Sequence, residues 1–110
     1  MNENSDGLDF YQQLRLELFL DGVVNDCDIL PLPFTRIETF LVDIKNGDVS
    51  TLTPITRTEQ YLARISGADV DIPVPLTRYE KYLAKIAGTE TEIPEPITRV
   101  EQLLYQWATK

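Results

Sequence analysis

The stretch PITRTEQYLARISG, residues 54–67, reads as one helix with its own start and stop signals. Thr56 opens a Thr-Arg-x-Glu sequence of the capping-box kind. In such a box the threonine hydroxyl accepts the amide three residues on, and Glu59 reaches back to the amide of the cap. Glu59 also falls in the first turn, where the helix dipole favours negative charge. Ile55, directly before the threonine, stands at the hydrophobic-staple position. Tyr61, Leu62 and Ile65 share one helical face, and Gly67 supplies a left-handed stop. The predicted helix is about 10–11 residues and roughly 16 Å long. A helix that short is not stable alone, so something has to cover its apolar face.

The rest of the chain supplies candidates, because it repeats the same unit. Thr35, Thr56, Thr77 and Thr98 are spaced by 21 residues, and Arg36, Arg57, Arg78 and Arg99 keep the same step. So do Glu38, Glu59, Glu80 and Glu101. One step further back, Arg15, Glu17, Phe19 and Leu20 align with Arg36, Glu38, Phe40 and Leu41, although Leu14 stands where the threonine should be. A constant period in this range marks a repeat array, in which each unit buries its apolar face on its neighbours. The expected fold is all-α: tandem 21-residue units of a short capped helix and an extended proline-containing linker, preceded by a longer N-terminal helix, in an open or solenoid-like array. The expected division is a helical segment with the degenerate repeat at residues 1–28, then four units at 29–47, 48–67, 68–88 and 89–110.

The apolar stripes recur unit by unit: Ile37, Phe40, Leu41 and Ile44; Tyr79, Tyr82, Leu83 and Ile86; Val100, Leu103, Leu104 and Trp107. Two uses are open to them, packing on neighbouring repeats or docking on another protein. The arginines pose a similar choice. A cation at the first helical position opposes the dipole, so each arginine either pairs with an acidic group of the adjoining repeat or binds a partner. Candidate protein-binding residues are therefore Arg36, Arg57, Arg78, Arg99, Phe40, Tyr61, Tyr82 and Trp107. Thr35, Glu38, Thr56, Glu59, Thr77, Glu80, Thr98 and Glu101 are assigned to helix capping.

In the linkers, Leu30, Leu32 and Phe34, and again Ile72, Val74 and Leu76, alternate with prolines. Such a segment serves as a stiff spacer, or pairs along one edge, or lies as polyproline II in an apolar groove. The linker TETEIPEP, residues 89–96, is more acidic and is expected to be solvated. At the N-terminus, residues 8–22 predict a helix of about 13 residues, capped by Asp6 or Asp9 and ended by Gly22. Phe10, Leu14, Leu16, Leu18, Phe19 and Leu20 surround much of that helix, which predicts fuller burial than in the others.

Composition excludes several classes of function. The 110 residues carry a net charge of −8, with 10 Lys and Arg against 18 Asp and Glu. Scattered basic residues in an acidic chain do not displace counterions from nucleic acid. There is no histidine, and Cys27 is the only cysteine, so the commonest general base, a thiolate cluster and an intrachain disulfide are all absent. No catalytic triad, phosphate-binding glycine loop or metal-ligand spacing occurs. The loop DGVVNDCD, residues 21–28, lacks the glycine and distal glutamate of a calcium loop. No apolar run reaches the about 18–20 residues that cross a bilayer, and the polar MNENSDG start is unlike a signal peptide. The expectation is a chain without enzymatic activity, cofactor, metal, nucleic-acid or membrane partner.

Tandem P-x-P-[ILF]-T-R-x-E-x-[YF]-L-x-x-I-x-G units, covering roughly residues 29–110, resemble repeats in virion proteins of tailed bacteriophages of Gram-positive hosts. Those repeats occur in or beside head-fibre and tail-fibre proteins. This chain has no collagen-like tract, shaft or receptor-binding head. The resemblance implies a small structural component located in the virion and assembled in the host cytoplasm. Its implied partner is the major capsid protein or another virion protein, met at a repetitive surface such as the capsid or neck, with homo-oligomerisation possible. A self-contained helical-repeat adaptor for one protein partner is the second reading.

Overall fold

A computed structural model describes residues 10–25 and 30–109, with side chains from residue 14 onward. Asp6, Asp9, Cys27 and Asp28 lie outside the described residues, as do the side chains of residues 10–13. Five helices follow in order: α1 (Phe10–Asn25), α2 (Arg36–Asn46), α3 (Arg57–Ser66), α4 (Arg78–Ile86) and α5 (Arg99–Thr109). Among the described residues there is no strand, and the proline-containing linkers run extended between helices.

The repeated signals act as the local chemistry requires. Thr35, Thr56 and Thr77 take extended backbone angles, and each hydroxyl accepts the amide of the glutamate three residues on. Thr98 accepts the Glu101 amide in the same way at 3.1 Å. At the other end, Gly47, Gly67 and Gly88 have φ of 79°, 112° and 105°. The left-handed glycine lets the next amide reach back to the helix, from Asp48 to Asp43, Ala68 to Ala63 and Thr89 to Ala84.

Gly22 behaves otherwise. It was expected to end the first helix, but α1 continues through it to Asn25. A Cβ built there would lie 2.4 Å from Leu30 Cδ2, so the glycine admits a linker side chain against the helix instead of breaking it. The expected burial of α1 is also corrected. Phe19, Leu20 and Val24 are buried, but Leu14 and Leu18 are exposed, because only one side of α1 meets the other helices.

Packing settles the arrangement. Each helix contacts the next in sequence, and α1 also packs on α5. The array therefore closes into a five-helix ring, where an open or solenoid-like one was expected. Residues of the same repeat position from all five helices line one axial cavity: Leu16, Ile37, Thr58, Tyr79 and Val100 in one layer. Leu20, Leu41, Leu62, Leu83 and Leu104 form the layer one turn further on. Corresponding residues lie level with one another, so the helices run parallel and the linkers carry the chain back along the ring. Between the helices, Phe19, Phe40, Tyr61, Tyr82 and Leu103 are fully buried. The radius of gyration, 13.3 Å, matches the ~13 Å of a compact domain of about 100 residues.

Candidate protein-binding surface

Parallel helices bring their N-termini to one end of the ring, and with them the positive ends of their dipoles. Glu38, Glu59, Glu80 and Glu101 each put a carboxylate there, and all four are buried. Each is held by an arginine 23 residues earlier, on the preceding helix. Arg15 donates from Nε to Glu38 Oε2 at 3.0 Å and from Nη2 to Oε1 at 2.8 Å. Arg57 grips Glu80 with the same two distances. Arg36 holds Glu59 and Arg78 holds Glu101 in the same two-pronged way.

Each guanidinium also donates to the carbonyl of the intervening linker, at Leu32, Thr53, Val74 and Glu95. One residue set thus ties a helix, the following linker and the next helix together. This clasp accounts for an arginine that helix stability alone disfavours. The arginine belongs to one helix and serves the N-terminus of the next.

The carboxylates differ from the expected capping box in one detail. Their short amide contact comes from Phe34, Ile55, Leu76 and Ile97, one residue before each threonine, at 2.8–2.9 Å. The arginine hydrogen bond holds Glu59, Glu80 and Glu101 below the usual carboxylate range, against the opposing effect of burial. For Glu38 burial is the largest influence and pushes upward. The Arg15 hydrogen bond, the Phe34 amide and the Arg15 charge together outweigh it, and the net direction is down.

Arg99 has no such clasp. It lines a surface depression at the α5–α1 seam with Glu17, Asp21, Leu14 and Leu18, but forms no ion pair with Glu17, its counterpart by repeat position. Glu17 lies inside α1 rather than at a helix start, so neither a free amide nor a linker carbonyl is there to complete the clasp.

The candidate protein-binding residues are therefore redistributed. Phe40, Tyr61 and Tyr82 are buried between helices and are not available to a partner in this fold. Tyr61 and Tyr82 spend their hydroxyls on the carbonyls of Pro73 and Pro94, pinning the linkers that follow them. Trp107 is half-buried against the core. Arg36, Arg57 and Arg78 are engaged inside the chain, although their side chains remain 40–42% exposed.

What the structure exposes instead is the row of linker residues before each cap. Leu32, Phe34, Ile55, Val74, Leu76 and Ile97 are 72–79% exposed. The staple position predicted for four of them is not used as a staple. Its partner position holds Thr39, Gln60, Lys81 and Gln102, none of which gives an apolar contact. That signal was present in the sequence. The inner members of the alternating linkers, Leu30 and Ile72, do pack on the core, as does Ile93 of the acidic linker expected to be solvated. An apolar crown thus lines the N-terminal ends of α2 to α5, beside the half-exposed arginines.

Among the described residues no cluster of metal-ligating side chains occurs, and no helix is long and apolar enough to cross a membrane. The chain matches no family model, no curated protein and no solved structure.

Proposed function

We propose that this chain is a non-enzymatic structural protein of a bacteriophage particle that docks on another virion protein through the crown at the N-terminal end of its ring. The observation that carries the reading is the repeated exposure of Phe34, Ile55, Leu76 and Ile97, joined by Leu32 and Val74. Six large apolar side chains so exposed in one region are characteristic of an interaction surface. The repeat presents them several times at one end, so weak contacts add through effective concentration. The resemblance of the repeats to virion proteins makes the major capsid protein the first partner to test.

Ring closure favours one feature of the second reading, a self-contained adaptor. All five helices share one core, so the crown is offered as a single rigid face rather than as units that order separately on a lattice.

Replacing Ile55, Leu76 and Ile97 together by serine tests the proposal; Phe34 is kept because its ring lies under the Arg15 guanidinium at 4.3 Å. The variant should keep the melting temperature of the parent chain and lose co-sedimentation with assembled capsids. Undiminished co-sedimentation would overturn the assignment. Binding of the parent to isolated capsid protein as tightly as to the assembled shell would select the single-partner adaptor.

A further inference from the structure

The axial cavity is a second feature of the ring, distinct from the crown. Its volume is about 510 Å³, within the roughly 300–1,000 Å³ of small-molecule sites. Five helices wall it. Its floor is the layer of Leu20, Leu41, Leu62, Leu83 and Leu104, each at most 5% exposed. Above that floor the lining residues are apolar except for Thr58, which is half-buried, and Tyr79, which is 38% exposed. Neither hydroxyl makes a hydrogen bond among the described residues, whereas the rim threonines Thr35 and Thr56 are committed to their helix caps. The rim carboxylates Glu38 and Glu59 are each neutralised by an arginine.

We propose that this cup binds a neutral, mainly apolar small molecule that carries one hydrogen-bonding group. The argument rests on three properties of the walls. The leucine floor rewards burial of a hydrocarbon body in proportion to its area. Thr58 and Tyr79 interrupt an otherwise aliphatic layer with groups able to hold one hydroxyl or carbonyl. The positive helix ends at the rim already face Glu38 and Glu59, which are themselves paired with arginines, so an ionised ligand would lose hydration without gaining a free counter-charge. A partner helix, about 10–12 Å across, fills roughly 500 Å³ per turn, so a cavity of about 510 Å³ holds no more than one turn of it. The occupant is therefore a small ligand.

The test is titration of the full chain with N-phenyl-1-naphthylamine, a neutral apolar fluorophore, alongside methyl NMR of the leucines and valines. Saturable fluorescence enhancement is expected, with shifts at the methyls of the five floor leucines. Octanol should displace the probe and octanoate should do so less well. Thr58→Phe fills the cup from the wall and should weaken binding roughly tenfold or more, with the circular dichroism of the parent chain retained. Absence of saturable binding overturns the proposal. So do shifts confined to Leu32, Val74 and Leu76, or equal displacement by octanoate. The methyl shifts of the unaltered chain decide the matter should Thr58→Phe fail to fold.

Discussion

Arg57 and Glu80 lie 23 residues apart in sequence and 2.8 Å apart in space, joined by a two-pronged ion pair that spans two helices. The same relationship links Arg15 to Glu38, Arg36 to Glu59 and Arg78 to Glu101. It makes the N-terminus of each of α2 to α5 depend on the helix before it, so the repeat is stabilised by its neighbours rather than within itself.

The clasps are not equal. Arg15 is buried beside Glu38, with side-chain exposures of 11% and 7%, and Arg99 makes no clasp. Arg15→Ala should cost up to about 3–5 kcal/mol, because it leaves a buried carboxylate with no counter-charge and only the backbone amide of Phe34 to hold it. Arg99→Ala should leave the urea midpoint where it was. Equal losses in urea denaturation would refute the clasp assignment.

The carboxylates set a pH dependence. Glu59, Glu80 and Glu101 have folded-state values lowered from the 4.5 of the free group. The folded state therefore binds fewer protons than the unfolded one, and stability falls as pH falls. The contribution is fully present above the unfolded value and is lost as pH drops through the lowered folded values. Melting temperature should be level from neutrality to about pH 5 and decline below that. The decline should be shallower in Glu80→Gln, measured against that variant's own value at neutral pH.

Thr77→Ala removes a cap whose hydroxyl accepts the Glu80 amide at 3.2 Å. The expected cost is about 0.5–2 kcal/mol, and Thr77→Ser should recover most of it. Chemical denaturation reads both.

Gly22→Ala should force the Leu30 side chain to shift, because the added Cβ would lie 2.4 Å from Leu30 Cδ2. That atom is the far end of a side chain that can rotate aside at about 0.5–1.5 kcal/mol, and the better helix propensity of alanine offsets about 1 kcal/mol of it, so the net change should be small. Adding Leu30→Ala should make the pair less than additive. Strict additivity in a double-mutant cycle would show that Leu30 is not the obstacle.

Closure itself has a kinetic signature. In an open array the terminal units exchange amide protons ahead of the central ones. In the ring, the core amides of α1 and α5 should exchange with protection similar to that of α3. Early exchange confined to α5 would argue for an open form.

Much of this fold was legible in the residues, and the reason is locality. A threonine cap, a glutamate at the third helical position and a left-handed glycine each act over a few residues. Thr56, Glu59 and Gly67 therefore mark a helix wherever it sits. Their repetition at a fixed step implies equivalent units in contact. The candidate surface was less legible. Tyr61 and Ile55 are both apolar and both recur, yet the first is fully buried and the second 73% exposed. Only the polar residue at Gln60, where a staple partner would stand, distinguished them beforehand.

The sequence by itself determined five helical units, the starts of α2 to α5, most of the stops, and a composition poor in the common catalytic and metal-binding groups. Tertiary structure decided that α1 meets α5, that the arginines serve the neighbouring helix, and that the axial layers enclose a cup. The physical reason is that a period records that units are alike, not the angle between them. That angle comes from how Phe19, Phe40, Tyr61, Tyr82 and Leu103 fill the space between helices, and small rotations summed over five units decide whether an array stays open or closes.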